Sequence, residues 1–309
     1  MQSGDHAHIL FNPVAGQGRA PRLAERLAQA LRGRGLTATQ SATSAEDHGA
    51  ETARQLPASV GFLFVVGGDG TLRQAAQGLV QREHSPCLAH VPLGNANVVA
   101  REWGVPQDPD KAIDALLDGR EVCMDVFWAG EKLVLAMVGV GYDAQIAAWM
   151  ERARRGALSR WYRLHGDSLY GVIGAAAMLK PGRRRFRLEL DGREVEGAFT
   201  GCIVSNIQTY AKGWSPNPEA NACDGLLDFV ALRPGWTPNT ALSLFAAMGH
   251  RRLPESLARY GRGRELVIRA PQPFDWQADG DAMGRMADLR IRVQPGALRM
   301  WVPRVGAPG

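Results

Sequence analysis

Three glycines, an aspartate and a threonine stand together in Val65-Val66-Gly67-Gly68-Asp69-Gly70-Thr71, at the end of an apolar run that starts at Gly61. A helix is expected from Leu72, so the segment reads as a buried strand passing through glycines into a helix N-terminus. That arrangement binds phosphate. Glycine lets the backbone come close to an anion, and the first helical turn offers N–H groups and the positive end of the helix dipole. Asp69 would repel a phosphate unless it serves a cation; it is expected to hold Mg²⁺, directly or through water, or to anchor the loop. The alternative is a tight strand-to-helix turn with no ligand. Two further strands end in the same way, His8-Ile9-Leu10-Phe11-Asn12-Pro13-Val14-Ala15-Gly16 and Val91-Pro92-Leu93-Gly94-Asn95-Ala96-Asn97. In a parallel α/β sheet such loops meet at the carboxyl edge, where ligands bind. Neither a Walker pattern nor a GxGxxG occurs in this region, which argues against a P-loop NTPase or a standard dinucleotide fold. Gly139-Val140-Gly141-Tyr142-Asp143-Ala144 imitates a shortened dinucleotide fingerprint, but strand–helix alternation stops soon after it, so it is read as a decoy.

Carboxylates gather at the far end of the chain. Asp279-Gly280-Asp281 sets two of them either side of a glycine. A turn of that kind can aim both at one point, and a carboxylate near a phosphate-binding edge can accept the proton of an attacking hydroxyl. An ordinary Asp-Gly hairpin turn is the competing reading. Asp224-Gly225-Leu226-Leu227-Asp228 could ligate a hard cation through carboxylate and carbonyl oxygens, or be a plain turn. Between these clusters, Trp149, Met150, Leu158, Trp161, Tyr162 and Leu164 alternate with Arg152, Arg154, Arg155, Arg160 and Arg163. Arginine interleaved with aromatics suits an anionic membrane interface; it also suits stacking on nucleic acid, or a core-facing helix with a solvated side.

The elements that must position these groups change character along the chain. Up to about residue 122, strands near 8–12, 37–41, 61–66 and 88–91 alternate with helices near 21–33, 45–55, 72–81, 97–104 and 108–118, which predicts a parallel sheet covered on both faces. After Asp125, segments 132–139, 184–191, 194–205, 226–232, 264–269, 287–293 and 298–302 read as strands, mainly antiparallel, with helical insertions around 143–180 and 237–249. A chain of 309 residues predicts two domains, placed at 1–126 and 127–309, with the C-terminal end able to rejoin the first. A 45% hydrophobic content supports packed cores. The net charge of +5 is carried almost wholly by arginine and is compatible with phosphate ligands, anionic membrane or nucleic acid. Four cysteines without CxxC or metal-ligand spacing, and an N-terminus without a signal pattern, point to a reducing cytoplasmic setting. No apolar run approaches the ~20 residues of a membrane span, so membrane contact is expected to be peripheral, at the inner face of the cell membrane.

In this order the segments resemble the bacterial diacylglycerol kinase-like lipid kinases, a family that also includes sphingosine and ceramide kinases. The resemblance covers nearly the whole chain. It is carried by Asn12-Pro13 with Gly16, the Gly67–Thr71 loop, Pro92-Leu93-Gly94 with Asn97, Asp125, Gly141-Tyr142-Asp143-Ala144, Asp224 to Asp228, and Asp279-Gly280-Asp281. The glycine loop alone is shared with NAD kinases and 6-phosphofructokinases; the ordered set is more specific. The resemblance implies an α/β nucleotide-binding domain with a parallel sheet, a C-terminal antiparallel β-sandwich, and ATP meeting a lipid hydroxyl in a cleft between them. Asn12, Gly67, Gly68, Asp69, Gly70, Thr71, Gly94, Asn95 and Asn97 fall at nucleotide-motif positions. Asp69 and Asp125 match acidic positions of the magnesium network, Asp279 the general base and Asp281 the nearby acid, usually Glu. A structural Mg²⁺ site maps onto Asn221, Asp224 and the carbonyl of Leu226. Three departures stand out. Asn95 and Val98 replace a hydroxyl and a carboxylate in the third motif, Asn221 replaces an Asp, and Asp281 is one methylene shorter than Glu. The expected enzyme transfers the ATP γ-phosphate to diacylglycerol, with ceramide or another sphingoid base as the rival substrate, NAD kinase as the rival enzyme, and a non-catalytic nucleotide- or lipid-binding regulator as the rival class. Its expected partners are ATP, the lipid and an anionic membrane met through Trp149, Arg154, Arg155, Arg160 and Trp161, without nucleic acid; a homodimer stays open.

Overall fold

The computed structural model describes residues 1, 5–44, 48–155, 185–210, 215–234 and 252–304. These form two compact units, Met1–Val126 with the segment from Pro295, and Phe127–Gln294.

In unit 1, strands β1 (His6–Phe11), β2 (Thr37–Ala42), β3 (Val60–Gly67) and β4 (Cys87–Pro92) lie parallel in the order β4-β3-β1-β2. Helices α1 (Ala15–Gly18), α2 (Ala20–Gly33), α3 (His48–Gln55), α4 (Asp69–Leu79), α5 (Val98–Glu102) and α6 (Pro109–Leu117) connect them. All of β3 but Gly61 is buried, as a central strand covered on both faces must be. On α2, Leu23, Leu27 and Leu31 fall at a spacing of four with Ala24 and Ala28 beside them, and all five enter the core. Asp108 starts α6 by accepting hydrogen bonds from the Asp110 and Lys111 amides, with Pro109 at the first helical position. Nominally helical α1 is a loop, since Gly16 and Gln17 are left-handed.

β5 (Gly119–Ala129) leads into unit 2, followed by β6 (Lys132–Val134), β7 (Met137–Val140), α7 (Tyr142–Arg155), β8 (Phe186–Leu190), β9 (Arg193–Phe199), β10 (Gly201–Ser205), β11 (Leu227–Leu232), β12 (Ala258–Gly263), β13 (Glu265–Ala278) and β14 (Asp281–Pro303). Pairing is antiparallel, in the order β12-β11-β10-β7-β13. β13 pairs with β8 through Leu266–Arg269 and with β7 through Trp276–Ala278, and its register with β14 breaks between Arg269 and Phe274. One long strand thereby serves two layers, as at the corners of β-sandwiches. The core between them holds Phe127, Phe186, Phe199, Phe229, Phe274 and Trp276.

β14 then carries the chain back into unit 1. Met300 pairs with Leu88, Arg299 forms a two-pronged bridge to Glu121 (2.7 and 2.8 Å), and Trp301 packs edge-on to Phe62 at 5.1 Å while its indole N–H donates to the Leu116 carbonyl at 2.8 Å.

Several expected boundaries differ. The segment 132–139 breaks into β6 and β7, and 194–205 into β9 and β10, while 287–293 and 298–302 are one strand. β5 and β12 were not anticipated. In β12, Ala258-Arg259-Tyr260-Gly261-Arg262-Gly263 has neither apolar alternation nor β-branched residues, and its pairing with β11 overrides that weak local preference. Helix α7 covers the first part of the expected 143–180 insertion; residues 156–184 and the expected helix at 237–249 lie outside the described residues. No helix among the described residues is long and apolar enough to cross a membrane.

Candidate functional site

The carboxyl ends of β1, β3 and β4 lie side by side: the Asn12 amide donates to the Val66 carbonyl at 3.1 Å and the Leu93 amide to the Gly67 carbonyl at 2.8 Å. Asn12, Gly67–Thr71 and Gly94–Asn97 therefore share one edge. Two of its loops meet backbone to backbone at Gly68 and Gly94. A Cβ on Gly68 would stand 3.2 Å from the Gly94 Cα, and one on Gly94 would stand 2.8 Å from the Gly68 Cα. A side chain at either position would push the loops apart. Gly68 is extended and gives α4 no capping side chain, and the first helical bond runs from the Leu72 amide to the Gly68 carbonyl at 3.1 Å. The amides of Asp69, Gly70 and Thr71 thus have no acceptor within the helix. Asp69 Oδ1 is buried and meets no hydrogen-bond donor among the described residues. Leaving such an oxygen unmet costs ~1–3 kcal/mol or more. This donor set fits a phosphate together with a hard cation. Among the described residues no three His, Cys, Asp or Glu side chains converge to hold a metal; a cation at this edge would take Asp69 and complete its shell with phosphate oxygens and water, a common arrangement for Mg²⁺.

Other expected residues shape this edge. Asn97 is left-handed and buried; its Oδ1 accepts the Gly94 amide (3.0 Å), and its Nδ2 donates to the Gly94 carbonyl (2.9 Å) and to Gln107 (3.3 Å). Its amide holds the loop in shape. Asn12 Oδ1 accepts the Val14 amide at 3.2 Å, Thr71 packs beneath Gly67, and Asn95 is exposed. Val98, where the family commonly has Asp, is buried at the start of α5. Asp125, also buried, accepts the Gly296 amide at 2.7 Å and so pins the returning β14.

Sequence reasoning passed over His90, whose signal was a histidine inside the apolar strand Cys87–Val91. It is 2% exposed, and its Nε2 lies 3.0 Å from the Gly67 carbonyl, so that nitrogen carries the proton and donates it. Nδ1 meets no partner among the described residues. Burial holds the imidazole below its ordinary 6.5 although the Asp69 charge and the Gly67 carbonyl oppose it, which keeps the ring neutral under the loop.

In unit 2, Asp279 and Gly280 have φ of 49° and 86°, and Ala278 pairs with Asp281. Two central residues with positive φ make this a type I′ hairpin turn, the competing reading of the segment. The Asp279 carboxylate is nevertheless engaged: Oδ2 accepts the Leu135 amide at 3.0 Å, and Oδ1 accepts those of Ala136 (2.8 Å) and Met137 (3.1 Å). The Asp279 amide donates to the Met137 carbonyl at 2.9 Å. Asp191-Gly192, between β8 and β9, repeats the device with φ of 48° and 78°. Asp191 Oδ1 accepts the Arg264 and Glu265 amides at 2.9 and 2.8 Å, and its amide donates to the Glu265 carbonyl at 2.9 Å. An Asp-Gly hairpin clamped onto a neighbouring strand thus recurs here, and the clamp by itself does not call for catalysis.

What distinguishes the Asp279 turn is the buried polar chain behind it. The Gly280 amide donates to Gln277 Oε1 (2.8 Å), Gln277 Nε2 donates to Asp143 Oδ2 (2.6 Å), and the Tyr210 hydroxyl donates to Asp143 Oδ1. Burial pushes the Asp143 carboxyl above its ordinary range, with the Tyr210 and Gln277 hydrogen bonds working against that rise. A Cβ on Gly139 would fall 1.6 Å from Asp143 Oδ2. Close packing on Asp143 therefore accounts for Gly139 in the apparent dinucleotide fingerprint. Gln277 and Tyr210 gave no signal in the sequence. Asp281 is half-buried beside the turn.

The expected structural metal residues lie on the loop before β11. Asn221 Oδ1 accepts the Cys223 amide and Asp224 Oδ1 the Leu226 amide, both at 3.0 Å, while Asp224 Oδ2 meets Arg262 Nη2 at 2.8 Å. Of the expected membrane residues, Trp149 is half-buried on α7; the side chains of Arg154 and Arg155, and all of Arg160 and Trp161, lie outside the described residues.

A family model described as the diacylglycerol kinase catalytic domain matches residues 6–129, and one described as the YegS C-terminal NAD kinase beta sandwich-like domain matches residues 136–302. The chain belongs to the diacylglycerol kinase-like family of lipid kinases. Among similar members, a probable lipid kinase YegS-like of Pseudomonas aeruginosa is 33% identical over 263 residues, covering 82% of this chain and 80% of its own. The diacylglycerol kinase of Staphylococcus carnosus is 20% identical over 281 residues, 91% of this chain and 90% of its own. The crystal structure of a putative diacylglycerol kinase from Bacillus anthracis superposes with a TM-score of 0.77 at 19% identity, over 98% of this chain and 99% of that one, which shows a shared fold. This lipid kinase thus joins an α/β catalytic domain to a β-sandwich-like domain and uses ATP.

Proposed function

We propose that this kinase transfers the γ-phosphate of ATP to the hydroxyl of diacylglycerol, giving phosphatidic acid. The observation that carries the nucleotide half is the open N-terminus of α4 beside Gly67, Gly68 and Gly94, with the Asp69 oxygen unmet. The amides of Asp69, Gly70 and Thr71 would receive phosphate oxygens there, and Asn12, Gly94, Asn95 and Asn97 would shape the edge around the nucleotide. Asp69 would hold Mg²⁺, with Asp125 supporting it. Mg²⁺, when bound, neutralises phosphoryl charge. For the acceptor hydroxyl, Asp279 is the proposed general base and Asp281 the acid beside it. The amides at Leu135, Ala136 and Met137 hold the Asp279 carboxylate in one orientation, which serves a base, while occupying lone pairs through which it would act.

Diacylglycerol is chosen because a relative that matches most of the chain is named a diacylglycerol kinase. A substrate housed in a bilayer also supports peripheral contact with anionic membrane through Trp149, Arg154, Arg155, Arg160 and Trp161. The test is ATP turnover in mixed micelles carrying diacylglycerol, ceramide or sphingosine in turn, with NAD as a soluble acceptor. Diacylglycerol should be preferred at least tenfold. Preference for ceramide or sphingosine would replace the substrate. Protein that binds ATP and turns over none of the four would be a regulator.

A further inference from the structure

The loop from Glu219 to Asp228 is where the family resemblance puts a structural Mg²⁺, and its donors do not fit that ion. Mg²⁺ asks for near-octahedral oxygens at about 2.0–2.1 Å. Asn221 offers a neutral amide whose oxygen already accepts the Cys223 amide, and Asp224 Oδ1 already accepts the Leu226 amide. Arg262 Nη2 takes the other Asp224 oxygen at 2.8 Å, reaches Asp228 Oδ2 at 3.2 Å, and lies 3.4 Å from the Glu219 carbonyl oxygen. One guanidinium nitrogen thus gathers oxygens from three residues, as a bound cation would.

The strand register puts it there. Asp228 and Arg262 are directly opposed in the β11–β12 pair, and Asp228 is only 6% exposed, so its carboxylate needs a positive partner close by. A second arginine completes the cluster: Arg252 bridges to the Glu219 carboxylate and lies over the Tyr260 ring at 5.1 Å. Glu219, Asp224 and Asp228 are therefore answered by two side-chain cations. A divalent ion on Asp224 would have to displace the guanidinium and then sit beside it.

We propose that Arg262 is the resident cation of this loop, so that the β-sandwich-like unit holds residues 219–228 without a metal ion. The neutral Asn221 fits this arrangement, because a carboxylate there would add a fourth negative charge to a loop that already carries Glu219, Asp224 and Asp228. The inference does not depend on which lipid is phosphorylated.

The experiment uses the nucleotide-free full chain in an Asp69→Asn background, which silences the proposed cation site of unit 1. Thermal midpoints are measured in EDTA and in millimolar Mg²⁺, and Tb³⁺ serves as a luminescent probe sensitised by Tyr260. Arg262 intact, the midpoint should be the same in both solutions. Arg262→Gln should lower it by a few degrees in EDTA. Arg262→Gln with Asn221→Asp should regain stability in Mg²⁺ and bind Tb³⁺, with emission lost on adding Asp224→Asn. Arg262→Lys, which keeps a cation, should stay indifferent to metal, and it gives the answer if Arg262→Gln fails to fold. Stabilisation by Mg²⁺ with Arg262 intact, abolished by Asp224→Asn, would overturn the proposal. So would indifference of the Arg262→Gln/Asn221→Asp chain to both ions, or a metal response in Arg262→Lys.

Discussion

At the amino end of α4, Asp69 keeps a buried carboxylate oxygen that meets no donor, whereas in the hairpin turns of unit 2 Asp279 accepts three backbone amides and Asp191 two. Both regions bring aspartate and glycine together at the end of a strand, yet one leaves a buried carboxylate oxygen unmet and the other ties its carboxylates to backbone amides. Buried polar groups in folded proteins are nearly always paired, so the unmet Asp69 oxygen calls for a partner, and at a helix start beside glycines a bound phosphate with its cation would supply one. Carboxylates tied down in this way are held by the chain itself. By this measure the glycine-bearing edge is the better candidate for a ligand, while the acidic turns are first of all fastenings, and any catalytic role for Asp279 is added to that duty.

Asp279→Asn tests this most sharply. It is expected to lower turnover by ~10²–10⁴-fold with ATP affinity unchanged, the usual loss when a general base is removed. A melting midpoint that fell while turnover stayed near normal would leave only the fastening. Next, Gly68→Val should weaken ATP binding by about 10²-fold, the scale of losing an oriented phosphate or oxyanion donor, because its Cβ would stand 3.2 Å from the Gly94 Cα and its branches would separate the two loops. Titration with a fluorescent ATP analogue checks it, and unaltered affinity would move the nucleotide elsewhere. Gly139→Ala should destabilise unit 2 by about 1–3 kcal/mol, since the new methyl displaces the Asp143 carboxylate from Gln277. Gly70→Ala, with nothing within 4 Å of the added methyl, should leave stability intact. Chemical denaturation of both variants makes the comparison.

The smallest expected effect is one of acidity, and its sign differs between the units. His8 and His90 are held below the ordinary 6.5 chiefly by burial, so on acidification the unfolded chain takes up protons first. Unit 1 therefore loses stability as pH falls through 6.5, by at most about 1.4 kcal/mol per pH unit for each histidine. Asp143 is shifted the other way, upward, so its contribution is present at low pH and is lost as pH rises through its folded value. Hydrogen exchange read segment by segment at pH 7 and 5.5 should show protection falling in β1 and β4 and holding in β7 and β13. Equal loss in both would refute the opposed signs.

Much of the glycine-bearing edge was legible because its signals are local: an apolar strand, glycines and a helix start adjoin in sequence at Val65–Leu72. The parallel strands of unit 1 were read for the same reason. What escaped depends on partners far along the chain. The clamp on Asp279 involves amides of residues 135–137, His90 reaches the Gly67 carbonyl, and Arg262 meets Asp228 only through the register of β12, a strand whose own residues scarcely favour one. The Asp279-Gly280 hairpin was visible as a turn, but no local pattern shows what a carboxylate accepts.

Trp301 carries one more consequence, in the order of synthesis. It fills the core of unit 1 against Phe62 and Leu116, yet the ribosome makes it only after the whole of unit 2. At ~5–20 residues per second, the intervening segment takes on the order of ten seconds to emerge. During that delay the nascent parallel sheet must wait with an apolar gap beside β3 and β4, while the inserted unit is free to fold first. Maturation of this kinase should therefore run from the middle of the chain outward, with unit 1 closing last.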